Sequence, residues 1–157
     1  MPRRSYKRQQ TDKDPIYGSS EVAKLINYIM VDGKKSIARK MIYSVMKKIE
    51  EKNFTAIDVI KTAISNTAPG MEVKPRRVGG ASYLVPTETR EERKLFLAFN
   101  WIIEAAAKRP NSKYHSFDEK LFAEIMDAYN NIGGAIEKKT SVEKLAEANK
   151  AFAHFRW

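Results

Sequence analysis

Gly79-Gly80, set between Val73-Lys74-Pro75-Arg76-Arg77-Val78 and Ala81-Ser82-Tyr83-Leu84-Val85-Pro86, is the stretch that most constrains the fold of this chain. Two consecutive glycines supply the positive-φ pair that a two-residue hairpin turn demands. The stretch therefore reads as a β-hairpin, over 71–88, inserted into an otherwise helical sequence. Its arms do not alternate cleanly between apolar and polar residues: Arg77 and Val78 are neighbours, as are Lys74 and Pro75. A ribbon without a clean core face is expected to project into solvent or against a partner. Pro75 and Pro86 each remove a ladder donor, which suits exposed edges and discourages strand addition.

The flanking sequence reads as helices. Ser19 or Ser20 caps a first one, with Val22, Leu25, Ile26, Ile29 and Met30 on one stripe. Asp32-Gly33 turns the chain, and a second helix from Lys34-Lys35 to about Glu51 carries Ile37, Met41, Ile42, Val45 and Ile49. A third, with Thr55 and Asp58 as its capping pair, buries Ile57, Ile60 and Ile64 and stops at Pro69-Gly70. Beyond the hairpin, Thr89 with Glu92 is expected to cap a fourth helix. It bears Leu95, Phe99, Ile102 and Ala106, with Phe96 and Ile103 on an adjoining row and Trp101 in the core. Two apolar rows mark this as the central helix. Ser116 is expected to cap a fifth, through Phe117, Leu121, Ile125 and Met126. Gly133-Gly134 interrupts it, and Thr140 with Glu143 is expected to open a last helix through Val142, Leu145 and Ala148. The fold class is mainly α: a single bundle of about six helices with an inserted β-hairpin arm. The whole chain, 1–157, reads as one domain. Residues 1–14 are a polar, basic tail without hydrophobic period and are expected to be disordered.

Charge narrows the function. The formal net charge is +10, from 29 Lys and Arg against 19 Asp and Glu. An excess of that size favours a nucleic acid or an anionic surface. The cations gather at element ends and on the ribbon: Arg3, Arg4, Lys7 and Arg8 in the tail, Lys34 and Lys35, then Lys74, Arg76 and Arg77 on the arm. Arg90, Arg93 and Lys94 follow, then Lys108 and Arg109, Lys138-Lys139, and Lys150 with Arg156 at the end. Several cations near a phosphate backbone release condensed counterions, and Arg adds bidentate geometry. Arg90, Arg93, Lys94, Lys34 and Lys35 stand at helix starts, where they oppose the helix dipole and point to an external anion. Tyr83, near Arg76 and Arg77, either stacks on an unpaired base or packs across the ribbon. The end, Phe152-Ala153-His154-Phe155-Arg156-Trp157, either packs back on the bundle or interleaves with RNA.

Other classes find little support. Cysteine is absent, which removes disulfides, thiolate metal sites and a Cys nucleophile. His115 and His154 lack companions at metal-ligand spacing. There is no strand-to-helix phosphate loop and no nucleophile elbow. Adjacent carboxylates such as Glu50-Glu51 and Glu91-Glu92 diverge on their helices. No enzyme activity, cofactor or metal is expected. No apolar run approaches the ~20 residues of a bilayer span, and no membrane partner is expected. A duplex-DNA binder would share the charge and the helices, and a helical protein-interaction module the helices alone. Folded RNA is the expected ligand.

The same residues resemble the bacterial-type small-subunit ribosomal protein seven family. The likeness runs from Met1-Pro2-Arg3-Arg4 through Asp14-Pro15-Ile16-Tyr17-Gly18, Asp32-Gly33-Lys34-Lys35-Ser36-Ile37-Ala38 and Arg76 to Pro86. It ends on Ala146-Glu147-Ala148-Asn149-Lys150-Ala151-Phe152-Ala153-His154-Phe155-Arg156-Trp157. The resemblance implies a helical domain with a β-hairpin arm that binds the 3′ major domain of small-subunit rRNA and nucleates assembly of the subunit head. It implies a place at the head–platform interface near mRNA and exit-site tRNA, beside other head proteins and the eleventh small-subunit protein. Arg3, Arg4, Lys34, Lys35, Lys74, Arg76, Arg77, Arg90, Arg93 and Lys94 carry over as RNA contacts. The family's short basic Lys/Arg-Ser-Met-Ala stretch is replaced by Pro110 to Asp118, longer and less charged, and Glu137 dilutes the charge of Lys138-Lys139. The match begins at Met1, so no added presequence is expected. Richness in Ile, Lys, Asn and Tyr fits an AT-rich bacterium or an organelle, and the ribosome of either compartment is the expected location.

Overall fold

The computed structural model describes residues 12–155. Among them are six α-helices and one two-stranded antiparallel hairpin: α1 Ser20–Ile29, α2 Lys35–Glu50, α3 Ala56–Thr67, β1 Met71–Val78, β2 Ala81–Glu88, α4 Glu91–Lys108, α5 Phe117–Tyr129 and α6 Gly134–Ala148. A 3-10 turn, Lys150–Phe155, follows α6. No described helix is long and apolar enough to cross a membrane.

Helices α1 to α5 bury most of the stripe that their periodicity dictates, whereas α6 turns Ala135 and Ala146 inward and leaves Leu145 and Ala148 exposed. Val22, Leu25 and Ile26 of α1 meet Ile42, Val45, Met46 and Ile49 of α2 in one core with Val59, Ile60 and Ala63 of α3 and Phe99, Trp101 and Ile102 of α4. Ile37 departs from expectation. It stands 49% exposed at the start of α2, and Ala38 takes the inward position. Ile42, Val45 and Ile49 keep the inward stripe, which runs on through Ala38; Ile37, one residue before Ala38, lies about 100° off it.

Helix starts were less legible than helix faces. Ser19 caps α1 as expected, its Oγ accepting from the Val22 amide at 3.4 Å. Thr55 makes no side-chain cap bond to α3. The N-cap of α4 is Arg90, not Thr89. The Thr89 amide instead donates to the Gly70 carbonyl at 3.1 Å, closing the root of the hairpin, and its buried hydroxyl has no hydrogen-bond partner. The last helix opens six residues before Thr140, at Gly134, with Gly133 at φ 98° as its N-cap. Thr140 lies inside α6 and donates to the Ile136 carbonyl, while Glu143 Oε1 accepts from the Gly70 amide at 2.9 Å. Glu143 thus ties α6 to the hairpin root rather than capping its own helix.

The basic tail also ends earlier than expected. Asp14 is buried and accepts from the Ile16 and Tyr17 amides, each at 3.1 Å, and from the Tyr43 hydroxyl at 2.9 Å. Asp14 therefore pins the chain to α2 before α1 begins.

Helix α5 shares the central place with α4, for it touches α2, α3, α4 and α6. Asp118, in its first turn, accepts from Lys48 Nζ at 2.8 Å and Ser44 Oγ at 2.9 Å on α2. Burial alone would raise the Asp118 carboxyl, yet hydrogen bonds from Lys48, Ser116 and Ser44 outweigh it and hold the group well below the usual carboxylate range. A folded-state pKa below the unfolded one stabilises the fold above the unfolded value and loses that contribution as pH falls beneath it. Urea midpoints of the protein and of Asp118→Asn should therefore differ at pH 7 and converge as pH drops below about 4, the ordinary aspartate range. A constant gap down that acid limb would refute the assignment.

Candidate nucleic-acid interface

The hairpin has the register its turn requires. Arg76 pairs with Tyr83, Arg77 with Ser82 and Lys74 with Val85. Gly79 (φ 58°) and Gly80 (φ 89°) both occupy the left-handed region, the pair of a type I′ turn that matches the twist of the strands. The root of the arm is built into the body: Glu72, Val85 and Pro86 are buried. The tip is open, with Pro75, Arg77, Gly79, Gly80, Ser82 and Leu84 exposed and Arg76 and Val78 half-buried. The expectation of a projecting ribbon thus holds for the outer half of the arm.

Glu72 organises the cations at the root. Its carboxylate accepts from Lys74 Nζ at 3.2 Å and from Arg93 Nε at 3.3 Å. It joins β1 to the first turn of α4 and fixes two positive side chains side by side. Sequence reading passed Glu72 over; the signal was an acid two residues from Lys74 in an otherwise basic arm.

Tyr83 takes a third arrangement, neither free for a base nor packed only across the ribbon. Its ring centroid lies 5.2 Å from that of Phe152 and 5.3 Å from that of Phe155. The terminal 3-10 turn therefore packs on the arm rather than back on the bundle. Aromatic contacts of this kind contribute about 0.5–1.5 kcal/mol each beyond area burial, and here they join the arm to the turn that follows α6. The His154 ring lies 4.0 Å from Phe155, with Nδ1 at 2.9 Å from the Ala151 carbonyl oxygen.

The remaining cations divide into outward and inward sets. Lys34, Lys35, Arg90, Lys108 and Lys150 are exposed. The first turn of α2 carries no acid to offset Lys35 against the helix dipole. Lys94 pairs with Glu91 at 2.6 Å, across one turn of α4. Arg3, Arg4, Lys7, Arg8 and Arg156 lie outside the described residues.

Arg109, grouped by sequence with Lys108, faces inward. Its guanidinium donates to Glu124 Oε2 at 2.8 Å and 2.6 Å, to Asp127, and to the Tyr114 hydroxyl at 3.2 Å. Burial alone would lower its pKa, but the bonds to Asp127 and Glu124 outweigh that and raise it above the ordinary arginine value. Glu124 Oε1 in turn accepts from the Ala135 amide at 3.0 Å, which caps α6. Sequence could have flagged Glu124, since it falls on the same helical face as Leu121, Ile125 and Ala128. The stretch 110–118 is tied to α5 while Pro110 to Lys113 and His115 stay exposed: Asn111 accepts from the buried Lys120, and the His115 amide donates to Glu119.

The candidate interface therefore comprises the arm tip, the Glu72-bound pair at its root, the start of α4 and the Lys34-Lys35 corner. It can grip phosphates, and it presents no cluster of His, Cys, Asp or Glu that could hold a metal ion among the described residues.

Comparison with known proteins finds relatives along the whole chain. The family model described as ribosomal protein S7p/S5e matches residues 1–150. The small ribosomal subunit protein uS7 of Carboxydothermus hydrogenoformans is 52% identical over 159 aligned positions, covering all of both chains. Its counterpart from Thermoanaerobacter pseudethanolicus is 50% identical, again over the full length of both. The uS7 of Xylella fastidiosa is 49% identical over 92% of this chain and 91% of its own.

Proposed function

This chain belongs to the S7p/S5e family of ribosomal proteins, and from that premise we propose that it binds the 3′ major domain of small-subunit rRNA and nucleates assembly of the subunit head. It is a structural protein of the small ribosomal subunit, from a family that is not one of enzymes. The whole of 1–157 acts as one RNA-binding domain, with a basic tail that ends before Asp14 and 71–88 as its arm. In the assembled particle it lies at the head–platform interface, near mRNA and exit-site tRNA, in contact with other head proteins and with the eleventh small-subunit protein. The relatives named above are bacterial, which favours a bacterial cytoplasmic ribosome over an organellar one.

The observation that carries the RNA reading is the division of charge. Arg109 is engaged by internal carboxylates, whereas Lys34, Lys35, Arg77, Arg90 and Lys108 stand in solvent. Helix and strand cores do not need those five. Lys74 and Arg93 are held by one carboxylate at the arm root, so the pair keeps a net positive charge. The proposed RNA contacts are these residues with Arg76, Lys94, Lys150 and the cations of both chain ends; Arg109 is left out, and Tyr83 acts by holding the arm.

Filter binding to a transcript of the 3′ major domain tests this. Six to ten phosphate contacts give a slope of log affinity against log salt of roughly −5 to −9. Replacing Arg76 and Arg77 together by Ala should reduce that slope by about 1–2 and leave the helical circular dichroism unchanged. A flat response in the unaltered protein sinks the proposal; loss of the helical signal in the double variant makes those residues structural.

A further inference from the structure

We propose that Tyr28, Phe96 and Arg93 form a platform on which one unpaired base of the bound RNA stacks. The inference rests on the RNA reading above and goes beyond it, from phosphates to a base.

The platform lies where α1 and α4 meet beside the root of the arm. The Tyr28 ring stacks on Phe99, with centroids 5.2 Å apart and planes at 23°. Phe99 is fully buried, so Tyr28 has one face fixed to the core while the ring as a whole stays 38% exposed. Phe96 meets Tyr28 edge-on, at 5.8 Å and 72°, and is 39% exposed. The two rings make a corner, with Tyr28 as floor and Phe96 as wall. The Arg93 guanidinium carbon sits 4.9 Å from the Phe96 centroid, with its Nε bonded to Glu72. That bond holds the guanidinium on the ring and next to Lys74.

Single exposed hydrophobes are ordinary on protein surfaces. Two aromatic rings set at 72°, one backed by the buried Phe99 and the other edged by a guanidinium, are a different object. Base–aromatic stacking asks only for a π-face and tolerates any base, and the cations beside it meet the flanking phosphates. The rings are presented by helices, Tyr28 resting on Phe99 and Phe96 held between Tyr28 and Arg93, so little rotamer freedom remains to be lost on binding. A protein partner would meet a corner bordered by Arg93, Lys74 and Arg90, which suits an anionic polymer better than an ordinary apolar side chain.

The discriminating variants keep apolar bulk and remove the π-face. Tyr28→Leu and Phe96→Leu should each weaken binding to the 3′ major domain transcript by about five- to a hundred-fold at fixed salt, the range for losing one stacked base. The salt slope should stay that of the unaltered protein, because no phosphate contact is lost. Irradiation of the unaltered complex at ultraviolet wavelengths should cross-link a nucleotide to the peptide carrying Tyr28 or Phe96; this decides the matter even where a Leu variant fails to fold. Leu variants that bind as tightly as the unaltered protein, with cross-links found elsewhere, would overturn the platform and leave the phosphate reading standing. So would variants that bind RNA normally but fail to retain a neighbouring protein in reconstituted subunits. A flat salt response in the unaltered protein removes both readings together.

Discussion

Glu124→Ala should destabilise the protein by about 3–5 kcal/mol, the cost of removing one partner from a buried ion pair. Glu124 is 1% exposed and sits where three helices converge. One oxygen receives two guanidinium bonds from Arg109, at the end of α4; the other receives the Ala135 amide, in the first turn of α6. Truncation leaves the Arg109 guanidinium with only Asp127 and Tyr114, and strips α6 of its cap. Backbone also closes in: a Cβ on Gly133 would lie 3.1 Å from Glu124 Oε1, so the carboxylate fills the space that the Gly133-Gly134 turn leaves. Circular dichroism against urea measures the loss. The paired replacement Arg109→Met with Glu124→Leu should cost far less than Glu124→Ala, because it removes both charges instead of stranding one. If Glu124→Ala costs under 1 kcal/mol, the ion pair is not the junction claimed for it. RNA affinity of the folded fraction should be unchanged, because Arg109 is not among the proposed contacts.

That junction marks the boundary of what the sequence revealed. Helix number, hairpin register and the Gly79-Gly80 turn were legible, because each rests on local periodicity or on a backbone requirement that few residues meet. Helix starts were legible at Ser19, Thr55 and Ser116, which stand at the N-caps of α1, α3 and α5, though only Ser19 makes the side-chain cap bond. Thr89 and Thr140 look like caps one residue at a time, but the first is claimed by the hairpin root and the second lies within a helix that opens at Gly134. Both outcomes are tertiary, and no window of adjacent residues contains them. The same holds for Asp14, which reads as tail until Tyr43, 29 residues away, donates to it. Among the candidate site residues, the cations of the arm and of the α2 and α4 starts could be named from sequence, since charge at an element end needs no partner to be noticed. Arg109 could not be told from Lys108, because the carboxylates that turn it inward lie 15 and 18 residues further on. Tyr83 was ambiguous for the same reason: Phe152 and Phe155 approach it only in three dimensions. The second apolar row of α4 marks Phe96 as core lining, and the half-exposed corner it makes with Tyr28 follows from how α1 lies on α4.

Phe99→Ala should cost about 3–5 kcal/mol, the range for truncating a buried aromatic. Phe99 is fully buried and heads the largest enclosed side chains, and its ring also supports Tyr28. The loss combines two effects: apolar surface no longer removed from water, and a cavity that the close-packed core around it cannot fill without moving. Ile37→Ala is the matched control. Sequence periodicity placed Ile37 on the apolar face of α2, yet it stands half in solvent, so its truncation should cost about 1 kcal/mol or less. Periodicity alone gives the two residues the same rank, whereas the three-dimensional packing separates them several-fold. Urea midpoints for the two variants decide between those views, and near-equal losses would mean that the α1–α4 contact is not packed as described. Removing Phe99 also takes away the floor beneath Tyr28. In conditions where Phe99→Ala remains folded, it should therefore weaken RNA binding as Tyr28→Leu does, with the salt slope unaltered. That outcome would link a core residue to recognition through a single stacked ring.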